Sequence, residues 1–195
     1  MIRKPNVNKN KAHVKACFII LMFISFCSCA GTYHDLPPVS ENLRYESPAD
    51  HQRYLNKIKQ LQQDLETLSN NIDSLEAEQL AETSVTYSLF LAEEYRLVRP
   101  PYLHNILVRI GIKDRGLCYH WAEDLLERLT SLELKSFILH RGVAYKGSDL
   151  REHNSVVVTA RGQDFNEGIV LDPWRDSGDL YWARVKTDRY PWEER

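Results

Sequence analysis

Cys118 lies where the sequence predicts the first turn of a helix. Asp114 and Gly116, just before it, are residue types that commonly start helices. The apolar residues after it recur at helical spacing: Trp121, Leu125, Leu126 and Leu129. A thiol in a first helical turn faces unpaired backbone N–H groups and the positive end of the helix dipole, which favour the thiolate. The position suits a nucleophile. The alternative is structural, because unpaired cysteine is also one of the most buried residue types.

His153 and Asp172 are predicted to lie together at one end of a β-hairpin. Residues 161–164 read Arg-Gly-Gln-Asp, a turn between two alternating apolar segments. If the strands pair symmetrically about that turn, Val157 lies opposite Val170, and His153 and Asp172 share one end and one face. A slip of one residue would separate them. A cysteine at a helix start, a histidine and a carboxylate together match a nucleophilic triad, in which the histidine takes the thiol proton and the carboxylate orients the imidazole.

Other histidines offer competing chemistry. His140, on a neighbouring predicted strand, is an alternative base, but it has no carboxylate partner at a comparable turn. His104 and His120 are predicted to be surface or packing residues. A metal site made of His120 and the three triad residues lacks the short-spaced ligand pair typical of zinc sites. The sequence therefore predicts neither a metal nor a cofactor.

The elements around these residues predict an α+β domain over 81–195. A helix over 81–98 stops before two prolines, a short helix follows Pro101, and the helix that begins near Cys118 comes next. After Leu132 the apolar residues alternate instead, which predicts short strands over 135–140, 143–146, 154–160, 168–172 and 180–185. Helices followed by antiparallel strands are typical of an α+β fold, here with the cysteine helix packed on the sheet.

A heptad pattern precedes this domain. Apolar residues alternate steps of four and three at Tyr54, Ile58, Leu61, Leu65, Leu68, Ile72 and Leu75. The pattern predicts one long, coiled-coil-like helix over 49–80. Such a helix either docks on its own domain, folds back as a hairpin, or pairs with a partner chain.

Residues 1–28 resemble a signal peptide. They carry five basic residues and no acidic one, and an apolar run over 16–27 follows the basic segment. That run is shorter than the ~20 residues needed to span a bilayer, but it suits a signal-peptide core. The residues around Cys29 look like a bacterial lipoprotein cleavage box, which predicts a lipidated Cys29 followed by a tether over 29–48. Cleavage after Ala30 and an uncleaved membrane anchor are the alternatives.

Export changes the charge and the cysteine count. Removal of residues 1–28 changes the net charge from −2 to −7, and an acidic chain without a basic cluster argues against nucleic acid as a partner. Cys17 and Cys27 leave with the signal peptide, so Cys118 is the one free thiol beside a lipidated Cys29. A single thiol in an oxidising compartment is a candidate reactive group. The predicted location is the cell envelope, as an outer-membrane lipoprotein facing the periplasm; a secreted or periplasmic protein is the alternative.

The segment from 116 to 173 resembles the transglutaminase-like branch of the papain-like cysteine enzymes. The resemblance rests on Arg115-Gly116-Leu117-Cys118 and Trp121-Ala122 on the helix, His153 opening a strand, and Leu171-Asp172-Pro173 closing the next. It implies that Cys118 is the nucleophile, His153 the general base and acid, and Asp172 the orienting carboxylate. Asn154-Ser155 stands where the family has an aromatic residue shortly after the histidine. For the oxyanion hole, the backbone N–H of Cys118 and the side chain of Asn105 are the candidates.

The function that follows is an exported cysteine enzyme that acts on amide or peptide bonds of a protein or peptide substrate. The acyl group on Cys118 would pass to water in a peptidase or amidase, or to an amine in a transglutaminase. The alternative is a non-catalytic envelope scaffold that uses the heptad helix to bind protein partners.

Overall fold

Four α-helices and a five-stranded antiparallel sheet make up the part of the chain that the computed structural model describes, residues 47–195. The helices come first: α1 Pro48–Glu66, α2 Ser74–Glu94, α3 Pro101–Arg109 and α4 Cys118–Thr130. The strands follow: β1 Phe137–Ala144, β2 His153–Ala160, β3 Ile169–Asp172, β4 Tyr181–Arg184 and β5 Trp192–Glu194. Their order in the sheet is β4-β3-β2-β1-β5. The predicted α+β arrangement of helices followed by an antiparallel sheet is confirmed.

The sequence predicts one helix over 49–80, but the structure divides this interval between α1 and α2. Helix α1 ends at Glu66, and α2 starts after Asp73, whose carboxylate accepts hydrogen bonds from the backbone N–H groups of Leu75 and Glu76. The intervening residues 67–73 include serine, asparagine and aspartate, whose side chains compete with the helical backbone for hydrogen bonds. The heptad segment therefore forms the two arms of a helical hairpin and not one long helix.

Leucines of the heptad pattern pack in the hydrophobic core of the chain itself. Leu61, Leu65 and Leu68 are buried in the same core as Trp121 and Leu125 of α4. Burying one fully buried leucine side chain stabilises a fold by roughly 1.5–3 kcal/mol. Helix α1 therefore belongs to the core of the domain that carries Cys118.

Strand β2 is the centre of the sheet, and all eight of its residues are buried. Val157 pairs with Val170 of β3, which confirms the predicted register of the hairpin. Val156 and Val158 belong to the core shared with the helices, whereas Val157 belongs to a second cluster that includes Trp192. The sheet therefore separates a helical layer from a smaller layer built by the segment after β4.

The predicted signal peptide, the predicted lipidation site Cys29 and the tether up to residue 46 lie outside the described residues. Within residues 47–195, no helix is long and apolar enough to cross a membrane.

Candidate active site

The start of α4 is fixed by a compact set of hydrogen bonds around Gly116. The ring Nδ1 of His120 accepts hydrogen bonds from the backbone N–H groups of Gly116 (3.1 Å) and Leu117 (3.2 Å), and the indole of Trp121 donates to the carbonyl of Gly116 (2.9 Å). Gly116 has φ +115°, and a Cβ there would lie 2.2 Å from the ring of His104. Only glycine fits this turn, which delivers the chain to Cys118.

His104 and His120 both have structural roles. Nδ1 of the buried His104 accepts a hydrogen bond from the backbone N–H of Val98 (3.2 Å), so Nε2 carries the proton and donates to the carbonyl of Arg115 (2.8 Å). His120 caps α4 through its own ring nitrogen. Both histidines are therefore packing residues of the turn before Cys118. Of the two predicted roles, surface or packing, the structure has the second.

Cys118 is the first residue of α4, as predicted, and its thiol is half-buried. The thiol contacts the backbone carbonyl of Glu152 at 3.8 Å, at the end of the loop that joins β1 to β2. It also interacts electrostatically with the side chain of His153, the first residue of β2, and the two residues line the same cavity. The structure therefore brings the predicted nucleophile to the predicted base.

His153 and Asp172 are joined by a hydrogen bond of 2.6 Å between Nε2 and Oδ2. Because Nε2 is engaged by the carboxylate, Nδ1 is the ring nitrogen that remains for the thiol. The imidazole packs among the rings of Trp174, Tyr190 and Trp192, with centroids 4.9, 5.0 and 5.4 Å away. These aromatic contacts restrict the ring to the orientation that faces both partners.

The charges around His153 favour its protonated form. Burial lowers the pKa of His153, but the negative charge of Asp172, the hydrogen bond to it and the contact with Cys118 outweigh burial and raise that pKa to about 9. At neutral pH the ring is therefore an imidazolium. An imidazolium beside a thiol stabilises the thiolate.

A cavity of about 580 Å³ opens over the thiol. Its walls come from α3, the start of α4, the β1–β2 loop and the segment after β3, and it is lined by Cys118, His153, Asn105, Trp174 and Tyr190 among others. The side-chain oxygen of Asn105 accepts a hydrogen bond from the indole of Trp174 (3.1 Å), so the amide N–H groups of Asn105 stay available for another acceptor. Asn105 thus shares a cavity with Cys118, and its role at the oxyanion remains a prediction.

His140 lies in a different environment. Its Nδ1 is 2.6 Å from a carboxylate oxygen of Glu194, and its Nε2 is 2.9 Å from the hydroxyl of Thr159. His140 has no carboxylate partner at a turn comparable to that of Asp172, but β5 places the carboxylate of Glu194 beside β1, through a pairing that no local pattern signals. His140 is absent from the lining of the cavity over Cys118. Within residues 47–195, no three histidine, cysteine or acidic side chains are grouped so that they could hold a metal ion.

Two contributors to the site were missed at the level of sequence. Tyr190 packs on His153 from the segment after β4, and nothing in the local pattern links the two. Arg175 donates to Asp172 from the turn that follows β3, through Nε at 3.0 Å. The spacing of three between Asp172 and Arg175 is the one signal that could have indicated this ion pair.

A thiol, an imidazolium and a buried carboxylate in a row at an open cavity have the parts needed for nucleophilic acyl transfer. In such a row a thiol can supply the attacking atom, an imidazole can move the proton, and a carboxylate can orient the ring. Comparison of the chain with protein-family models, with curated proteins and with solved structures finds no match.

Proposed function

We propose that this protein is a transglutaminase-like cysteine enzyme that acts on amide or peptide bonds through Cys118, His153 and Asp172. The observation that carries the proposal is the continuous row of three side chains, from the thiol at the start of α4 to a carboxylate with no exposed surface. A buried carboxylate is costly unless it is paired. Its pairing with a histidine that also contacts the only free thiol of the described residues supports a role in chemistry.

The reaction begins with attack of the Cys118 thiolate on the carbonyl carbon of the substrate amide. A C–S bond forms, and the electron pair of the carbonyl moves to oxygen. The imidazolium of His153 then gives its proton to the leaving amine as the C–N bond breaks, which leaves a thioester on Cys118. A water molecule or an amine attacks the thioester while the now neutral ring accepts its proton, and the thiolate departs.

The oxyanion of this reaction would lie near the start of α4. The backbone N–H of Cys118 belongs to the first turn, where N–H groups have no partner within the helix. The positive end of the α4 dipole also favours negative charge at this point. The amide of Asn105, which lines the same cavity, is the proposed second donor.

A polypeptide substrate fits the surroundings of the cavity. Large apolar side chains that line the cavity are also exposed, namely Tyr119 and Leu150. Exposed apolar groups that cluster beside a concave site are typical of surfaces that bind a partner. Water reaches an open cavity in excess over any amine, so hydrolysis is the preferred outcome and transfer to an amine is the alternative.

In this proposal the enzyme is exported and held at the cell envelope through a lipid on Cys29. The competing function is a non-catalytic envelope scaffold that binds partners through the heptad segment. The burial of Leu61 and Leu65 in the chain's own core favours the enzyme, because those side chains have no surface to offer a partner helix.

Reaction of the full chain with p-nitrophenyl acetate tests this proposal without knowledge of the substrate. We expect a burst of p-nitrophenol and an acetyl group on Cys118, located by peptide mapping so that Cys17, Cys27 and Cys29 are counted separately. Cys118→Ser should abolish the burst, and His153→Ala should slow it strongly. Acetylation spread over surface lysines, with no burst that depends on Cys118, would contradict the proposal.

A further inference from the structure

The carboxylate of Asp172 is held by more than His153. Its Oδ2 accepts hydrogen bonds both from Nε2 of His153 (2.6 Å) and from Nε of Arg175 (3.0 Å). Its Oδ1 accepts one from the backbone N–H of Arg175 (3.2 Å). Three donors on two oxygens fix the rotation of the carboxylate, and two of the three come from one residue.

The guanidinium of Arg175 is in turn fixed by Asp188. Its two terminal nitrogens donate to the two carboxylate oxygens of Asp188 at 2.8 and 2.7 Å, in the bidentate geometry that only arginine provides. The Asp188 side chain has no exposed surface, and that of Arg175 is 7% exposed. Burial raises the pKa of Asp188, but the hydrogen bonds and charge of Arg175 overcome it and lower that pKa to about 2.

Residues 188–192 contact both Arg175 and His153. The guanidinium lies over the rings of Tyr181 (3.9 Å) and Tyr190 (4.7 Å). Tyr190 also packs on the imidazole of His153, as does Trp192, whose indole donates to Asp188 at 2.6 Å. One short stretch of chain after β4 therefore supports the outer ion pair and the imidazole at the same time.

We propose that Arg175, fixed by Asp188, is the positioning residue that holds the Asp172 carboxylate where it orients His153. This inference rests on the proposed function, because orientation matters only if His153 takes part in a reaction. The charges alternate outward from Cys118: His153 is positive, Asp172 negative, Arg175 positive and Asp188 negative. Asp188 holds the two terminal nitrogens of Arg175, so only Nε of the guanidinium shares Oδ2 of Asp172 with the imidazolium.

The alternating charges predict that substitutions of Arg175 and of Asp188 shift the midpoint of His153 titration in opposite directions. The titratable groups that face His153 are Cys118 from α4, Asp172 from β3 and Tyr190 from the segment after β4. Arg175→Gln removes a cation near the imidazolium and should raise the midpoint of His153 titration. Asp188→Asn leaves Arg175 unbalanced and should lower it. If Arg175 and Asp188 only stabilised the fold, neither substitution would move the midpoint of His153 titration.

The double variant Arg175→Gln with Asp188→Asn separates charge from orientation. It removes the buried cation and the buried anion together and so leaves no charge without a partner, so it should fold even where a single variant does not. We expect its His153 midpoint to return close to that of the wild type, while acylation of Cys118 by p-nitrophenyl acetate stays slower by about tenfold or more, because the orientation is lost.

The experiment measures His153 titration by NMR and the acylation rate for the full chain and its variants, with Arg184→Lys as the matched control. Arg184 also joins two segments through its guanidinium, which contacts Glu167 and Thr67 and lies outside the triad. The control should keep the wild-type rate and midpoint. A double variant that acylates at the wild-type rate would overturn the inference. If the wild type is not acylated at all, the proposed function is wrong. The titration of His153 still tests the alternating charges in that case, and unchanged midpoints in the single variants would reject them.

Discussion

Asp172 accepts a hydrogen bond of 2.6 Å from Nε2 of His153, and neither side chain is more than 5% exposed. A pair in this environment is shielded from solvent, so its electrostatic attraction is stronger than that of a surface ion pair. The consequences for stability and for reactivity can be measured separately.

The stability of the fold should depend on the protonation of His153. The pKa of His153 is raised from 6.5 to about 9 in the folded chain. A raised pKa stabilises the fold fully below pH 6.5, and that stabilisation is lost as the pH rises through about 9. Chemical denaturation across this range should show a fall in the free energy of unfolding that is much smaller in His153→Gln. An equal fall in both proteins would mean that other groups cause it.

Asp172→Asn should keep the fold but slow acylation of Cys118. An asparagine fills the same space, yet it removes the charge that holds His153 protonated and correctly oriented. Loss of the orienting carboxylate in a triad of this kind lowers turnover by about 10⁴-fold, and a decrease of at least a hundredfold is expected here. The burst assay with p-nitrophenyl acetate measures it. Asp176→Asn, an exposed residue in the same turn, is the control and should leave the rate unchanged.

The hairpin shows which parts of the site could be predicted from sequence. The turn at 161–164 and the apolar segments on either side of it determine the register, so the pairing of Val157 with Val170 and the proximity of His153 and Asp172 could be predicted from local pattern. The start of α4 at Cys118 could likewise be predicted from the residues next to it in the chain. These features depend on residues close together in the chain, for which turn and helix signals are strongest.

The remainder of the site depends on contacts between distant residues. Asp188 and Tyr190 reach the site because β5 pairs with β1 and folds the segment after β4 back over the sheet. No periodic pattern indicates that pairing. The break between α1 and α2 was missed for a different reason, since the apolar spacing continues across residues 67–73 while the polar residues there end the helix.

Helix α1 should be essential for the stability of the whole domain. Leu65 has no exposed surface and lies in the core shared with α4, so Leu65→Ala should lower the free energy of unfolding by about 2–5 kcal/mol. Leu55→Ala, on the same helix but 45% exposed, is the control and should cost far less. Denaturant unfolding measures both. Equal small effects would indicate that α1 is only loosely attached.

Asn105→Ala should slow acyl transfer without changing the reactivity of the thiol towards simple alkylation. Acyl transfer develops an oxyanion, whereas alkylation by iodoacetamide does not. Loss of one oxyanion-hole donor typically costs about 10²–10³ in rate. The ratio of acylation to alkylation rates measures the effect, and Tyr102→Ala, at an exposed position of the same helix, should leave that ratio unchanged. A parallel loss of both rates would assign Asn105 to packing instead.

Activation of Cys118 by His153 can be measured as the rate at which iodoacetamide alkylates Cys118 at different pH values. Peptide mapping follows Cys118 alone in the folded wild type, in His153→Ala and in the control His140→Ala. Because iodoacetamide reacts with the thiolate, alkylation in the wild type and in His140→Ala should stay fast at mildly acidic pH, well below the range of about pH 8.5 in which a free cysteine ionises. In His153→Ala it should become slow there. Slow alkylation of all three folded proteins at acidic pH, independent of His153, would mean that His153 does not activate Cys118.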